Sequence, residues 1–277
     1  MVSPQQARAR ADAIMELHEA GDVDAAMEEV QRLLSELDEG QARTDPVLRE
    51  SLYAARFEHA VLLTELGDLD AATEAYALAA RTPADLDDPD QRHEIALARL
   101  NQGICLDAMG DHAGSIEVYA DLVSTFSDAD DPVTADQVAR ARVNQAAALL
   151  ASDRADEASV RAAGIRAELD PQDILSSEQH VMAARLQAQA LLDLDAVEEA
   201  LGVLADLGEV TREDPATRAQ LAAAAQERAQ VLADTARMAD AIEVLDAALA
   251  GEDAEFDPEV DEVLGELRAT RRRLAGR

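Results

Sequence analysis

Arginine and asparagine recur in this sequence at a fixed interval. Arg56, Arg99 and Arg142 stand 43 residues apart, each followed three residues later by His59, Gln102 or Gln145. Asn101-Gln102 and Asn144-Gln145 repeat at the same interval. A guanidinium is a planar fork that holds a carboxylate bidentately, and an amide offers a peptide backbone both a donor and an acceptor. Together with Arg140, Arg185 and Gln189, these side chains suit the recognition of a polypeptide carrying acidic residues. The same arginines suit a second use, pairing with the chain's own abundant Asp and Glu, and the sequence leaves both open.

Bond-making chemistry finds less support. The five histidines, His18, His59, His93, His112 and His180, are scattered without metal-ligand spacing. No His-Glu-x-x-His, Gly-x-Ser-x-Gly or glycine-rich phosphate loop occurs. The expectation is a protein that is not an enzyme and needs no cofactor or metal. The acidic loops at Asp85, Asp87, Asp88 and Asp90, and at Asp128, Asp130 and Asp131, lack the glycine and closing glutamate of a calcium loop. They read as helix caps and solubilising turns. Cys105, the single cysteine, lies between Ile104 and Leu106 and reads as a small buried packing residue. With no disulfide possible within the chain, a reducing cytoplasm is the expected setting.

The formal charge of −34 comes from 58 acidic against 24 basic residues, and no lysine is present. A nucleic-acid binder needs a basic footprint, so that class is disfavoured, as is adsorption to anionic lipid. Basic or neutral partners are favoured. The N-terminal residues lack the apolar run of a signal peptide, and no stretch of about 18 apolar residues appears, so no membrane insertion is expected. Hydrophobic residues make up 48% but aromatics only 2%. Such a core is made from Ala, Leu, Val and Ile, which suits closely packed helices.

The elements that carry the polar strip announce themselves through proline. Ser3-Pro4, Asp45-Pro46, Asp88-Pro89, Asp131-Pro132, Asp170-Pro171, Asp214-Pro215 and Asp257-Pro258 are separated by 42, 43, 43, 39, 44 and 43 residues. Ser or Asp at an N-cap accepts from an orphan amide, and Pro at the next position has no amide to leave unpaired. Seven helix starts are therefore predicted. A second mark, Gly21-Asp22, Gly67-Asp68 and Gly110-Asp111, ends one helix in a left-handed residue and caps the next. In later units it becomes Ser152-Asp153, Leu194-Asp195 and Thr235-Ala236, where less regular or slightly strained turns are expected. The predicted repeats span 3–40, 45–83, 88–127, 131–169, 171–208 and 214–250, within one domain over 1–277. A capping helix over 257–276 closes it, with Arg271-Arg272-Arg273 complementing the helix dipole. First helices of about 20 residues are predicted, roughly 30 Å long.

These residues resemble the tetratricopeptide repeat family. Gly67, Asp68, Ala72, Tyr76 and Ala79 match its turn, small residue, aromatic and second alanine, and Gly103 matches the small position where paired helices cross. The period exceeds the family's 34 residues, so the units resemble the longer ones of kinesin light chains, and HEAT or armadillo repeats remain the alternative. The resemblance implies an all-α, right-handed superhelical solenoid of about six helix-turn-helix repeats whose first helices line a concave groove. The expected partner-binding strip there is Arg56, Arg99, Asn101, Arg140, Arg142, Asn144, Arg185 and Gln189. The implied function is a scaffold or adaptor for a protein or peptide partner. The alternative is a self-associating or peptide-sensing regulatory module with no catalytic or DNA-binding domain of its own.

Overall fold

The computed structural model describes residues 2–250 and 258–276, and it is helical almost throughout. The helices are α1 (Pro4–Glu19), α2 (Val23–Glu36), α3 (Glu39–Ala42), α4 (Pro46–Glu65), α5 (Leu69–Ala80), α6 (Pro89–Ala108), α7 (His112–Phe126), α8 (Pro132–Ala151), α9 (Ala155–Glu168), α10 (Ile174–Asp193), α11 (Val197–Ala205), α12 (Pro215–Asp234), α13 (Met238–Ala250) and α14 (Pro258–Ala275). No strand occurs among the described residues. The chain divides into two compact units, residues 1–148 and 149–277, with α8 crossing the division.

Most helix starts lie at the expected Asp-Pro or Ser-Pro pairs. Ser3 and Gln6 form a capping box over α1. The carboxylates of Asp45, Asp88, Asp131 and Asp214 accept from backbone amides at 2.9, 3.0, 2.7 and 2.8 Å. The fifth start differs. Asp170-Pro171 forms a turn, with Gln172 N donating to Asp170 Oδ1 at 2.9 Å, and α10 begins only at Ile174 under the cap Asp173. Proline is permitted at the first helical position but not required there. Capping residues 3, 45, 88, 131, 173 and 214 are thus 42, 43, 43, 42 and 41 apart, more even than the prolines. The seventh pair includes Asp257, which lies outside the described residues; α14 begins at Pro258.

Each hairpin turns through one left-handed residue. Gly21, Gly67 and Gly110 have φ of 77°, 77° and 79°. Asp153, Asp195 and Ala236 adopt the same conformation, at 58°, 61° and 62°, without glycine's freedom. In all six turns the amide after this residue reaches the carbonyl five positions back, from Asp22 to Leu17 at 2.9 Å through Arg237 to Leu232 at 2.8 Å. The later turns are therefore as regular as the early ones and carry backbone strain, which costs roughly 1–2 kcal/mol at a non-glycine residue. Five first helices, α4, α6, α8, α10 and α12, are 20 residues long as expected.

Packing within each unit uses small residues. Gly103 faces the fully buried ring of Tyr119: a Cβ there would lie 2.3 Å from Tyr119 Cε1. The core of residues 1–148 includes Ile14, Val30, Leu33, Leu62, Leu100 and Leu122. Cys105 is buried beside Ala60, Ala72 and Tyr76, as read from the sequence, and burial pushes its thiol up. In residues 149–277, Val181, Leu204, Leu232 and Leu245 are buried. There α14 buries Val260, Leu264, Leu267 and Leu274 on one stripe and exposes Asp261, Glu262 and Glu266, the two-sided pattern of a capping helix. Arg271 ties it to Asp246 of α13 at 2.8 Å.

Candidate functional site: the first-helix face

Positions on the first helices are best counted back from the left-handed turn residue. Residues 13, 9 and 6 before it lie three or four apart and share one stripe. In residues 1–148 this stripe carries three rows. Thirteen before the turn stand Arg8, Ala54, Leu97 and Arg140; nine before, Asp12, Glu58, Asn101 and Asn144; six before, Met15, Val61, Ile104 and Ala147. Met15 and Ile104 are 48% and 41% exposed, large values for big apolar side chains, while Val61 and Ala147 are half-buried.

The expected strip divides between two sides of these helices. Arg56, Arg99 and Arg142 sit 11 before their turns, two residues from Asn101 or its equivalents, hence about 200° around the helix at 3.6 residues per turn. Arg56 donates to the Leu78 carbonyl and to Thr82 Oγ1, both at 3.2 Å, and pairs with Glu39. Arg99 donates to Thr125 Oγ1 at 2.8 Å, meets Asp121 at 3.3 Å and lies 5.4 Å from the Phe126 ring centroid. Arg142 is half-buried at the same helix position. Arg10, also 11 before its turn, completes the series: it meets Glu29 at 2.5 Å and Glu36 at 3.0 Å. Sequence reasoning missed it because the segment from Gly21 to the cap Asp45, which holds α3, is three residues longer than its later equivalents, so Arg10 stands 46 rather than 43 before Arg56. Arg10, Arg56 and Arg99 each clamp a first helix to the far end of its own second helix.

The remaining strip residues occupy the first-helix side. The amides of Asn101 and Asn144 act on the hydroxyls of Tyr76 and Tyr119 in the preceding hairpin. The Tyr119 hydroxyl in turn donates to Asp107 Oδ2 at 2.9 Å. Arg140 keeps a side chain 47% exposed, with Asp136 at 3.9 Å. In residues 149–277, Arg185 joins α10 to α12 through Glu227 at 3.0 Å and through Gln220. Gln189 is exposed and donates to Asp193 Oδ1 at 2.9 Å.

A cleft of about 320 Å³ opens on this face of residues 1–148 between α1, α4 and α6. Its charged lining is Arg8, Asp12, Glu50, Asp88, Asp90 and Glu94. Arg8 is engaged by Glu50. Burial, then the charges of Glu50, Asp90 and Asp88, push the Glu94 carboxyl up to about 7 against the opposing pull of Arg49. At one edge of the same face His18 of α1 bridges Glu58 and Glu65 of α4, with Nε2 2.8 Å from Glu65 Oε1. Both ring nitrogens face carboxylates, so the doubly protonated ring fits best. Its pKa is raised, by Glu65 first and then Glu58, against desolvation.

No group of three or more His, Cys, Asp or Glu among the described residues is placed to hold a metal ion. No helix among them is long and apolar enough to cross a membrane.

No protein-family model matches the sequence, and no curated protein matches it. Solved structures do. BtubC (BKLC) from P. vanneervenii superposes with a TM-score of 0.59 at 17% identity, covering 86% of this chain and 92% of that one. The nearly identical TPR-like repeats of a kinesin light chain from Podosopora anserina give 0.53 at 16%, covering 75% and 95%. PilF of Pseudomonas aeruginosa gives 0.52 at 15%, covering 95% and 99%. With helix pairs joined by glycine-type turns and crossing at a small residue against a tyrosine, the chain has the all-α fold of tetratricopeptide-like repeat proteins.

Proposed function

We propose that this chain is a protein-interaction scaffold without catalytic activity, and that a partner protein or peptide docks on the first-helix face of residues 1–148. The observation that carries this reading is the row of Met15, Val61 and Ile104, apolar side chains aligned across three successive first helices, the outer two exposed and the middle one half-buried. Exposed apolar groups in register along a repeat array offer a partner a strip to cover. Around them stand amides and carboxylates that give orientation. Asn101, Asn144 and Arg140 of the expected strip belong to this docking face. Arg56 and Arg99 contribute by holding the hairpins in shape. Acl4, an assembly chaperone of RpL4, also gives a TM-score of 0.50 and is a protein that serves another protein.

The test is affinity capture from a lysate of the source cells with the wild-type chain and with Met15→Asp/Ile104→Asp. Both side chains are exposed, so the variant keeps its helical circular dichroism. Partners captured by the wild type and lost by the variant support the docking face. Equal capture by both overturns it, and capture of only the chain itself, lost in the variant, assigns the row to self-association.

A further inference from the structure

The docking face of residues 1–148 is asymmetric in charge, and the asymmetry specifies what should lie on it. Its apolar row is six residues before the turns, whereas the carboxylate-lined cleft lies nearer the starts of the same three helices, between Asp12 and Glu94. From Ile104 back to Glu94 is ten residues of one helix, and from Met15 to Asp12 three. At 1.5 Å per residue the two features are about 5–15 Å apart along the helices. Two to four residues of extended chain span that distance.

Within the cleft, negative charge is undercompensated. Arg8 from α1 is taken by Glu50, and Arg49 from α4 is the other cation acting on Glu94. Facing them are Asp12 from α1, Glu50 from α4, and Asp88, Asp90 and Glu94 from α6. Asp88 is occupied as the cap of α6, but Asp12 and Asp90 stand exposed. A cavity of about 320 Å³ is wide enough for the end of a long side chain. An ammonium or guanidinium is the group that three carboxylates around an open cleft recognise, whereas an acidic peptide would be repelled.

We propose that the first-helix face of residues 1–148 receives a partner segment pairing an apolar side chain, laid on Met15, Val61 and Ile104, with a lysine or arginine two to four residues away whose cation enters the cleft between α1, α4 and α6. The inference rests on the reading that this face docks a protein. It reverses the charge of the partner that the recurring arginines suggest, because Arg56 and Arg99 are turned to the other side of their helices and already paired. It also predicts proton linkage. The bound cation favours the ionised form of Glu94, so affinity rises as pH increases from 6 to 8.

The experiment selects a random 16-residue peptide-display library on the full chain and measures the best peptide by fluorescence anisotropy at 150 mM salt. The variants are Ile104→Asp, Asp12→Asn/Glu94→Gln and, as a charge control on the exposed second-helix side, Glu74→Gln/Glu117→Gln. The expected peptide carries an apolar residue and a Lys or Arg at this spacing. Its affinity falls about five- to tenfold with Asp12→Asn/Glu94→Gln, as two partly exposed ion pairs imply, and is unchanged by the control. Loss with Ile104→Asp but not with Asp12→Asn/Glu94→Gln overturns the cation and leaves the docking face standing. Indifference to Ile104→Asp overturns both. An equal loss with the cleft pair and the control pair reduces the effect to overall charge and overturns the cleft.

Discussion

Replacing Gly103 with alanine tests the repeat packing most directly, because the same substitution at Gly164 should have the opposite sign. A Cβ at Gly103 would lie 2.3, 2.6 and 2.8 Å from Cε1, Cζ and Cδ1 of Tyr119. Carbon atoms in contact prefer about 3.5–4.0 Å, so something must move by about an ångström. The ring has no room: Tyr119 is fully buried, and its hydroxyl is anchored to Asp107, which also accepts from Ser115 Oγ at 2.5 Å. Overpacking of this kind costs about 1–3 kcal/mol, and this clash belongs at the upper end. Alanine recovers about 1 kcal/mol over glycine inside a helix, which leaves a net loss of about 1–2 kcal/mol. Gly164 in α9 is exposed and has nothing within 4 Å of a built Cβ, so Gly164→Ala keeps only the gain of about 1 kcal/mol. Urea titration followed by circular dichroism at fixed pH reads both, each against the wild type. In a Tyr119→Ala background, Gly103→Ala should no longer destabilise. If Gly103→Ala stabilises as Gly164→Ala does, the close crossing of α6 and α7 is wrong.

Three further perturbations follow from named contacts. Ala236→Gly relieves a left-handed alanine at φ 62° and should stabilise by about 0.5–1 kcal/mol after the extra unfolded-state freedom of glycine is subtracted, read as a raised urea midpoint. Arg99→Gln removes the clamp on Asp121 and Thr125 and the contact with Phe126, and should cost about 1 kcal/mol in the same titration while peptide affinity at the first-helix face changes little. His18 has a raised pKa in the folded chain, so its pairing with Glu65 and Glu58 contributes fully below the unfolded value of about 6.5 and is lost as pH rises through the folded value. Stability of residues 1–148 should therefore fall as pH rises across that window, and His18→Gln should flatten the dependence.

How far the sequence could be read depended on whether a signal was local. Ser3, Asp45, Asp88, Asp131 and Asp214 mark helix starts because capping needs only a carboxylate or hydroxyl beside its own backbone. Gly21, Gly67 and Gly110 mark turns because only φ decides them. Asp170-Pro171 shows the limit: the same two residues also make a good turn, and Asp173, with no proline after it, takes the cap. The short α3, which supplies Glu39 to Arg56, had no periodic signal at four residues. The asparagines' tyrosine partners and the Glu94 cleft each need residues about 25 to 90 apart to meet, which no local pattern reports.

The arginine series carries the more general lesson about repeats. A strict 43-residue interval establishes that Arg56, Arg99 and Arg142 are equivalent, but equivalence does not say which side of the helix they occupy. Counting from the turn does, because helix phase accumulates from a fixed geometric origin. Eleven before the turn points toward the second helices, where Glu36, Thr82 and Thr125, all 15 after their turns, await the three clamps. A residue repeated because every unit must close its hairpin looks in sequence like one repeated because every unit must touch a ligand. What separates them here is that the clamp residues are matched by regular polar partners in three successive hairpins, whereas the first-helix rows change character from one hairpin to the next: Asp12, Glu58, Asn101, Asn144 in one, Arg8, Ala54, Leu97, Arg140 in another. Structural roles are repeated because each unit faces the same task. A partner of irregular sequence calls for rows that vary, as the first-helix rows of residues 1–148 do.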